Sequence, residues 1–213
     1  MSKFFDPFLY LVTDRRLAGQ RDIADVVRSA IKGGVTLVQL REKALGRAAF
    51  LAEACVLKQI CQAGGVPLII NDDVVVAKKT GADGVHLGQS DAPVAEARDA
   101  LGPEAIIGLS IETLEQARDA AALDVDYLAA SPVFATPTKT ELAEPLGLIG
   151  LRAIRKLTDK PLVAIGGINL DNARAVLEAG ADGLATVSAL VAAPDPCLAA
   201  RRFCSLRLRS TDS

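Results

Sequence analysis

Residues 81–91 read Gly-Ala-Asp-Gly-Val-His-Leu-Gly-Gln-Ser-Asp. A glycine that suits a helix C-terminus is followed by a tight acidic turn, a short apolar run and a polar end. The same Gly-Ala-Asp-Gly returns at 180–183, again ahead of an apolar run. Lys32-Gly-Gly-Val and Leu123-Asp-Val-Asp hold similar places. A helix, a turn and a strand are thus written several times along one chain.

Outward from this stretch there are eight apolar runs: Phe8–Thr13, Thr36–Arg41, Pro67–Asn71, Gly84–Leu87, Ile106–Ser110, Tyr127–Pro132, Pro161–Gly166 and Gly183–Ser188. Most are continuous in Val, Ile, Leu and Ala rather than alternating, as expected of parallel strands covered on both faces. Amphipathic segments lie between them, among them Asp22–Gly33, Ala48–Ala63, Leu114–Ala122 and Asp171–Ala179. Strand–helix units of about 25 residues, eight times over, predict a TIM (β/α)₈ barrel. A doubly wound open sheet is the competing architecture; eight strands and no GxGxxG after the first one count against it. No linker divides the chain, so 1–213 reads as a single α/β domain. The arginine-bearing end reads as a solvated last helix, and roughly residues 200–213 as a frayed tail.

Composition narrows the function classes. The chain has 213 residues, half of them hydrophobic, and a net charge of -2. That length can bury a sizeable core, and the charge offers no large basic field for nucleic acid. The start, MSKFFDPFLYLVTDR, lacks the apolar region and cleavage site of a signal peptide. No run reaches a membrane span. Four cysteines without a CxxC pair, beside one histidine, argue against a zinc site and for reduced thiols in a cytoplasmic protein. A homo-oligomer is left open.

The chemistry collects at the C-terminal ends of the strands, where barrels of this kind carry their active sites. The second run ends Gln39-Leu-Arg41-Glu-Lys43, and a period of two puts Gln39, Arg41 and Lys43 on one side. Two cations and an amide suit a phosphate or diphosphate; a solvated strand end with a surface ion pair is the plainer alternative. Asn71-Asp72-Asp73 ends the third run and Gly88-Gln-Ser-Asp91 follows the fourth. Carboxylates on neighbouring loops can share Mg²⁺, which takes one or two of them and fills its other positions with water and phosphate oxygens. Asp72 and Asp91 are the expected pair, with Asp73 read as a helix N-cap and a cap role also open for Asp91. The lone His86 inside the fourth run reads as structural. Ser110 closes the fifth run, either toward a ligand or as a helix cap.

Ser131-Pro-Val-Phe-Ala-Thr-Pro-Thr-Lys-Thr140 cannot extend as a helix and reads as a long loop over the mouth. Its Thr136, Thr138 and Lys139 again suit a phosphorylated ligand. The seventh run ends in Gly166-Gly167 and the eighth in Val187-Ser188, where loops of phosphate-handling barrels bind anions through backbone N–H groups.

Taken in order, Tyr10-Leu-Val-Thr-Asp14, Val38-Gln-Leu-Arg-Glu-Lys43, Ile70-Asn-Asp-Asp73, Gly84-Val-His-Leu-Gly-Gln-Ser-Asp91, Pro132-Val-Phe-Ala-Thr-Pro-Thr-Lys139 and Ala164-Ile-Gly-Gly-Ile168 resemble the thiamine-phosphate synthase family. The resemblance implies a transferase of thiamine biosynthesis. It would join a hydroxymethylpyrimidine diphosphate to a thiazole phosphate, releasing pyrophosphate. Carried over by position, Arg41, Lys43, Asn71 and Lys139 would hold the diphosphate, and Asp72 and Asp91 the Mg²⁺. Gln39 and Ser110 would contact the pyrimidine, and Thr136 and Thr138 would line the pocket. Gly167, Val187 and Ser188 would bind the thiazole phosphate. Lys139, Arg41 and Ser110 are the implied catalytic residues. The rivals are a thiazole tautomerase, a non-catalytic barrel that binds a phosphorylated ligand, and a phosphosugar isomerase barrel.

Overall fold

The computed structural model describes residues 5–136 and 144–208. Eight parallel strands close into a barrel in sequence order, with β1 paired to both β2 and β8. They are β1 Leu9–Val12, β2 Leu37–Leu40, β3 Leu68–Asn71, β4 Gly84–Leu87, β5 Ile106–Ile111, β6 Tyr127–Ala130, β7 Leu162–Ile165 and β8 Gly183–Thr186. All eight expected strands are present, most trimmed by a residue or two at their ends. Among the described residues the helices are α1 Arg15–Ala18, α2 Ile23–Lys32, α3 Arg47–Ala63, α4 Val74–Thr80, α5 Val94–Leu101, α6 Leu114–Ala120, α7 Gly147–Arg155, α8 Ala173–Glu178, α9 Ser188–Val191 and α10 Pro196–Leu208.

Strand side chains alternate between two cores. One set, including Leu9, Leu11, Val38, Leu40, Leu68 and Ile70, packs outward against the helices. The other fills the barrel: Tyr10, Val12, Leu37, Ile69, Ile106, Tyr127, Ala129, Val163 and Ala185. The strands are buried on both faces, which explains their unbroken apolar character.

The repeated acidic turn has a mechanical role at the N-terminal end of the barrel. Asp83, just before β4, accepts from the N–H of Leu68, the first residue of β3, at 2.8 Å. Asp126 does the same for Ile107 of β5, and Asp182 for Leu162 of β7, each at 2.8 Å. Thr36 supplies a hydroxyl to Leu9 at 3.0 Å in the first repeat. Each aspartate also meets a cation from the helix layer: Lys58, Arg98 and Arg155 respectively. The residue ahead of each even strand therefore ties down the odd strand before it. The repeat visible in the sequence is this four-fold strand clamp.

The last helix corrects one expectation. Residues 200–208 are not frayed: α10 is continuous to Leu208, and Ala200 and Phe203 are fully buried. The helix lies against α2 at Gly33, where an added Cβ would stand 2.6 Å from the Ala200 Cβ. Arg207 covers the Phe8 ring at 4.8 Å and pairs with Asp6 at 2.5 Å. Arg201 and Arg202 do face solvent. Pro196 is buried as well, and Ala199, Cys204 and Leu206 pack beside these residues, a pattern easily lost beneath four arginines. No helix of the described residues is long and apolar enough to cross a membrane.

Candidate active site

The mouth is assembled from strand ends. β2 stops at Leu40, and the backbone of Arg41 is pinned to β1 by the Thr13 hydroxyl, which accepts from the Arg41 N–H at 3.0 Å. The following turn is held by Glu42. Its Oε1 accepts from the N–H of Ala44 at 2.7 Å and of Leu45 at 3.3 Å, and its Oε2 takes Arg15 at 3.1 Å. Burial pushes the Glu42 carboxyl up, but these amides and the Arg15 guanidinium together hold it below the usual range. With its side chain 5% exposed, Glu42 is committed to this turn and to Arg15.

Lys43, Asp72 and Asp91 come together from three different strand ends. Lys43 Nζ lies 2.6 Å from Asp72 Oδ2. Asp72 has φ 61, the only described non-glycine residue at positive φ. Asp tolerates this left-handed geometry better than most residues, and such positions collect at functional sites. Its N–H donates to the His86 carbonyl at 2.9 Å, tying the turn to β4. Asp91 folds back so that Oδ2 accepts from the Gly88 N–H at 2.6 Å. Its carboxyl is pushed up, first by burial and then by Asp72 within hydrogen-bonding reach. Two carboxylates forced together, one with a raised proton affinity, fit a divalent cation that would neutralise both.

The cap alternatives resolve clearly. Asp73 caps α4, with Oδ1 accepting from Val76 N–H at 2.9 Å. Asp91 does not cap a helix, since α5 begins after Pro93. Ser110 does not cap α6 either, because Thr113 does.

The opposite side of the mouth is built by loops 6 and 7. Val133 N–H donates to Ile165 O at 2.9 Å and Phe134 N–H to Gly166 O at 3.0 Å, so the segment after β6 continues along β7. Gly166 and Gly167 have φ 100 and 65, and added Cβ atoms would lie 2.7 Å from Pro132 Cβ and 2.8 Å from Phe134 Cβ. Only glycine lets these loops approach so closely. β8 ends at Thr186 rather than Ser188, because Val187 (ψ -78) leaves the extended conformation to begin α9 at Ser188. Val187 and Ser188 thus stand at the N-terminal end of α9, where the first amides have no intrahelical acceptor. Thr136 ends the described part of loop 6. Thr138 and Lys139 lie outside the described residues.

Two expected residues are tied to groups of the barrel interior. Gln39 is buried inside the barrel, its Nε2 donating to the Tyr10 hydroxyl at 2.7 Å. Ser110 Oγ is 2.9 Å from His86 Nε2. The residues that connect them, Tyr10, Tyr127 and His86, were not singled out as functional from the sequence. The available signal was their place on inward-facing strand positions in a chain with two tyrosines and one histidine.

Fold and mouth define a (β/α)₈-barrel protein in which Lys43, Asp72 and Asp91 meet at the C-terminal ends of the strands. The sequence profile described as thiamine monophosphate synthase matches residues 9–190. A thiamine-phosphate synthase of Albidiferax ferrireducens is 60% identical over 195 residues, covering 92% of this chain and 89% of that one. One from Leptospira biflexa is 53% identical over 88% of this chain and 91% of its own. The solved thiamine phosphate pyrophosphorylase of Pyrococcus furiosus superposes with TM-score 0.88 at 38% identity, covering 96% of each chain. A 3-hexulose-6-phosphate synthase structure, 20% identical at TM-score 0.66 over 93% of this chain and 99% of its own, shares the fold. The chain belongs to the thiamine monophosphate synthase family.

Proposed function

We infer that this barrel is a transferase that couples 4-amino-5-hydroxymethyl-2-methylpyrimidine diphosphate to 4-methyl-5-(2-phosphoethyl)thiazole, giving thiamine phosphate and pyrophosphate. Family membership supports the reaction. The observation that carries the site is the meeting of Lys43, Asp72 and Asp91 from three strand ends. Arg41, Lys43, Asn71 and Lys139 bind the diphosphate, and Asp72 and Asp91 would hold Mg²⁺. Bound there, Mg²⁺ would supply charge neutralisation to the leaving pyrophosphate.

Arg41, Lys43 and Lys139 spread the charge that grows on the leaving oxygen as the carbon–oxygen bond breaks, its electron pair departing with pyrophosphate. Gln39 and Ser110 orient the pyrimidine, and Thr136 and Thr138 line the pocket. Gly167, Val187 and Ser188 hold the thiazole phosphate so that the thiazole nitrogen faces the pyrimidine methylene and forms the new carbon–nitrogen bond. Holding two substrates in line is itself a large part of the rate. No protein nucleophile is needed. The four free thiols suit work in the reducing cytoplasm.

The test is direct. Purified protein with Mg²⁺ and both substrates should release pyrophosphate, and release only when both are present. No release at neutral pH would sink the synthase reading. Lys139→Ala should lose turnover while keeping its melting temperature. A thiazole tautomerase has no use for a diphosphate clamp, so isomerisation of the thiazole without coupling would favour that alternative.

A further inference from the structure

A chain of polar groups crosses the apolar interior of the barrel. It starts at Gln39 on β2, whose Nε2 donates to Tyr10 on β1 at 2.7 Å. The Tyr10 and Tyr127 hydroxyls lie 2.8 Å apart. Tyr127 is 2.9 Å from His86 Nδ1, and His86 Nε2 is 2.9 Å from Ser110 Oγ. Gln39, Tyr10, Tyr127 and His86 are all buried. The path is built into the strands. Gly108 on β5 makes room for it, because a Cβ there would stand 2.0 Å from Tyr127 Cζ. Tyr127 stacks on His86 with ring centroids 5.5 Å apart and meets Tyr10 edge-on at 5.9 Å. Burial pushes both phenols well above their ordinary pKa, so each keeps its proton.

Counting protons gives the chain a direction. The Gln39 amide nitrogen only donates, and Tyr10 oxygen accepts from it. Tyr10 then sends its own hydrogen to Tyr127; the reverse sense would strand that hydrogen in the apolar inner core. Tyr127 in turn donates to Nδ1 of His86, which must be bare. The ring proton therefore sits on Nε2 and is donated to Ser110. With its oxygen so engaged, Ser110 has its own hydrogen left to give.

We propose that Tyr10, Tyr127 and His86 are positioning residues that fix Ser110 as a hydrogen-bond donor to the substrate. They thereby select a ligand that presents an acceptor there, such as the ring nitrogen of an aminopyrimidine. This rests on the reading of Ser110 as a pyrimidine contact. An oxo-pyrimidine, whose ring nitrogen carries hydrogen, would set donor against donor.

Two measurements test it. His86 is the one histidine of the chain, so the imidazole nitrogen shifts of ¹⁵N-histidine-labelled protein report its tautomer directly. The free protein should carry the ring proton on Nε2 at neutral pH. A proton on Nδ1 overturns the proposal, whatever the activity.

In the coupling reaction, His86→Phe should raise KM for the pyrimidine diphosphate about tenfold, the equivalent of one hydrogen bond, and leave KM for the thiazole phosphate within about twofold. His86→Gln returns an Nε2 donor toward Ser110 and should recover most of the loss. Equal losses in the two variants, or equal shifts for both substrates, overturn the positioning role. If His86→Phe does not fold, Tyr127→Phe replaces it: the histidine should then populate both tautomers, and an unchanged Nε2 proton overturns the chain. Should the parent protein not couple at all, the synthase reading falls while the tautomer result still decides the chain.

Discussion

Replacing Asp91 by Asn is expected to move stability and metal dependence in opposite directions. Asp91 and Asp72 lie within hydrogen-bonding reach, and Lys43 is 2.6 Å from Asp72. Two like charges about 4 Å apart repel by roughly 4 kcal/mol at an effective dielectric of about 20. Lys43 offsets part of this and solvent screens the pair, leaving about 1 kcal/mol. The asparagine oxygen can go on accepting from Gly88 N–H, now 2.6 Å from Oδ2, so the loop keeps its fold. Without metal, Asp91→Asn should therefore melt about 2–4 °C above the parent, the shift that 1 kcal/mol produces in a domain of this size. The same change removes one of two carboxylates offered to Mg²⁺. The Mg²⁺ concentration for half-maximal pyrophosphate release should rise by about tenfold or more, or roughly 1.4 kcal/mol. Calorimetry in chelator and a Mg²⁺ titration of pyrophosphate release read the two effects separately. A lower melting temperature in chelator, or an unchanged titration, would refute the pairing.

Other perturbations probe the parts that hold the mouth in place. Glu42 has a depressed carboxyl, so its stability contribution is present above its unfolded pKa of about 4.3 and is lost as pH falls through the folded value. Glu42→Gln should cost about 1–2 kcal/mol at neutral pH and flatten the acid side of the stability profile; a profile parallel to the parent's would clear Glu42. Asp126→Ala breaks the strand clamp at Ile107 and leaves Arg98, only 13% exposed, without that carboxylate. It should lose about 2–4 kcal/mol in urea unfolding with kcat within about twofold, because it lies at the end of the barrel opposite the mouth. An equal loss of kcat would tie that end to the chemistry. Finally, burial, then Asp83, pushes the Cys61 thiol up to about 12, whereas Cys55 is exposed. Iodoacetamide at about pH 8 should label Cys55 in the native protein and Cys61 only on unfolding; early labelling of Cys61 would mean that the α3 face opens.

Much of the fold was legible because a parallel barrel leaves local marks. Each strand is buried on both faces, so most are apolar throughout, and every second unit restarts with a similar turn ahead of its strand. The polar residues at the strand ends were legible for the same reason: they interrupt that pattern. Strand limits were less so, since the departure of Val187 into α9 depends on backbone angles that Val-Ser does not announce. The docking of α10 was hidden because Ala200 and Phe203 mark a buried side only once the helix lies against α2, where Gly33, the cap of α2, faces Ala200.

By itself the sequence determined the barrel and the set of cations, carboxylates and glycines available to its mouth. Those follow from local rules of burial, turn geometry and strand period. Only the tertiary structure decided which groups touch. Lys43, Asp72 and Asp91 lie on three separate strand ends, and they meet because the closed sheet sets their register. His86, an unremarkable strand residue in the sequence, joins Tyr127 to Ser110 because β4, β5 and β6 are neighbours and Gly108 leaves a passage between them. Hydrogen bonds act over about 3 Å, so partners far apart in the chain become legible only when the fold has brought them within that distance.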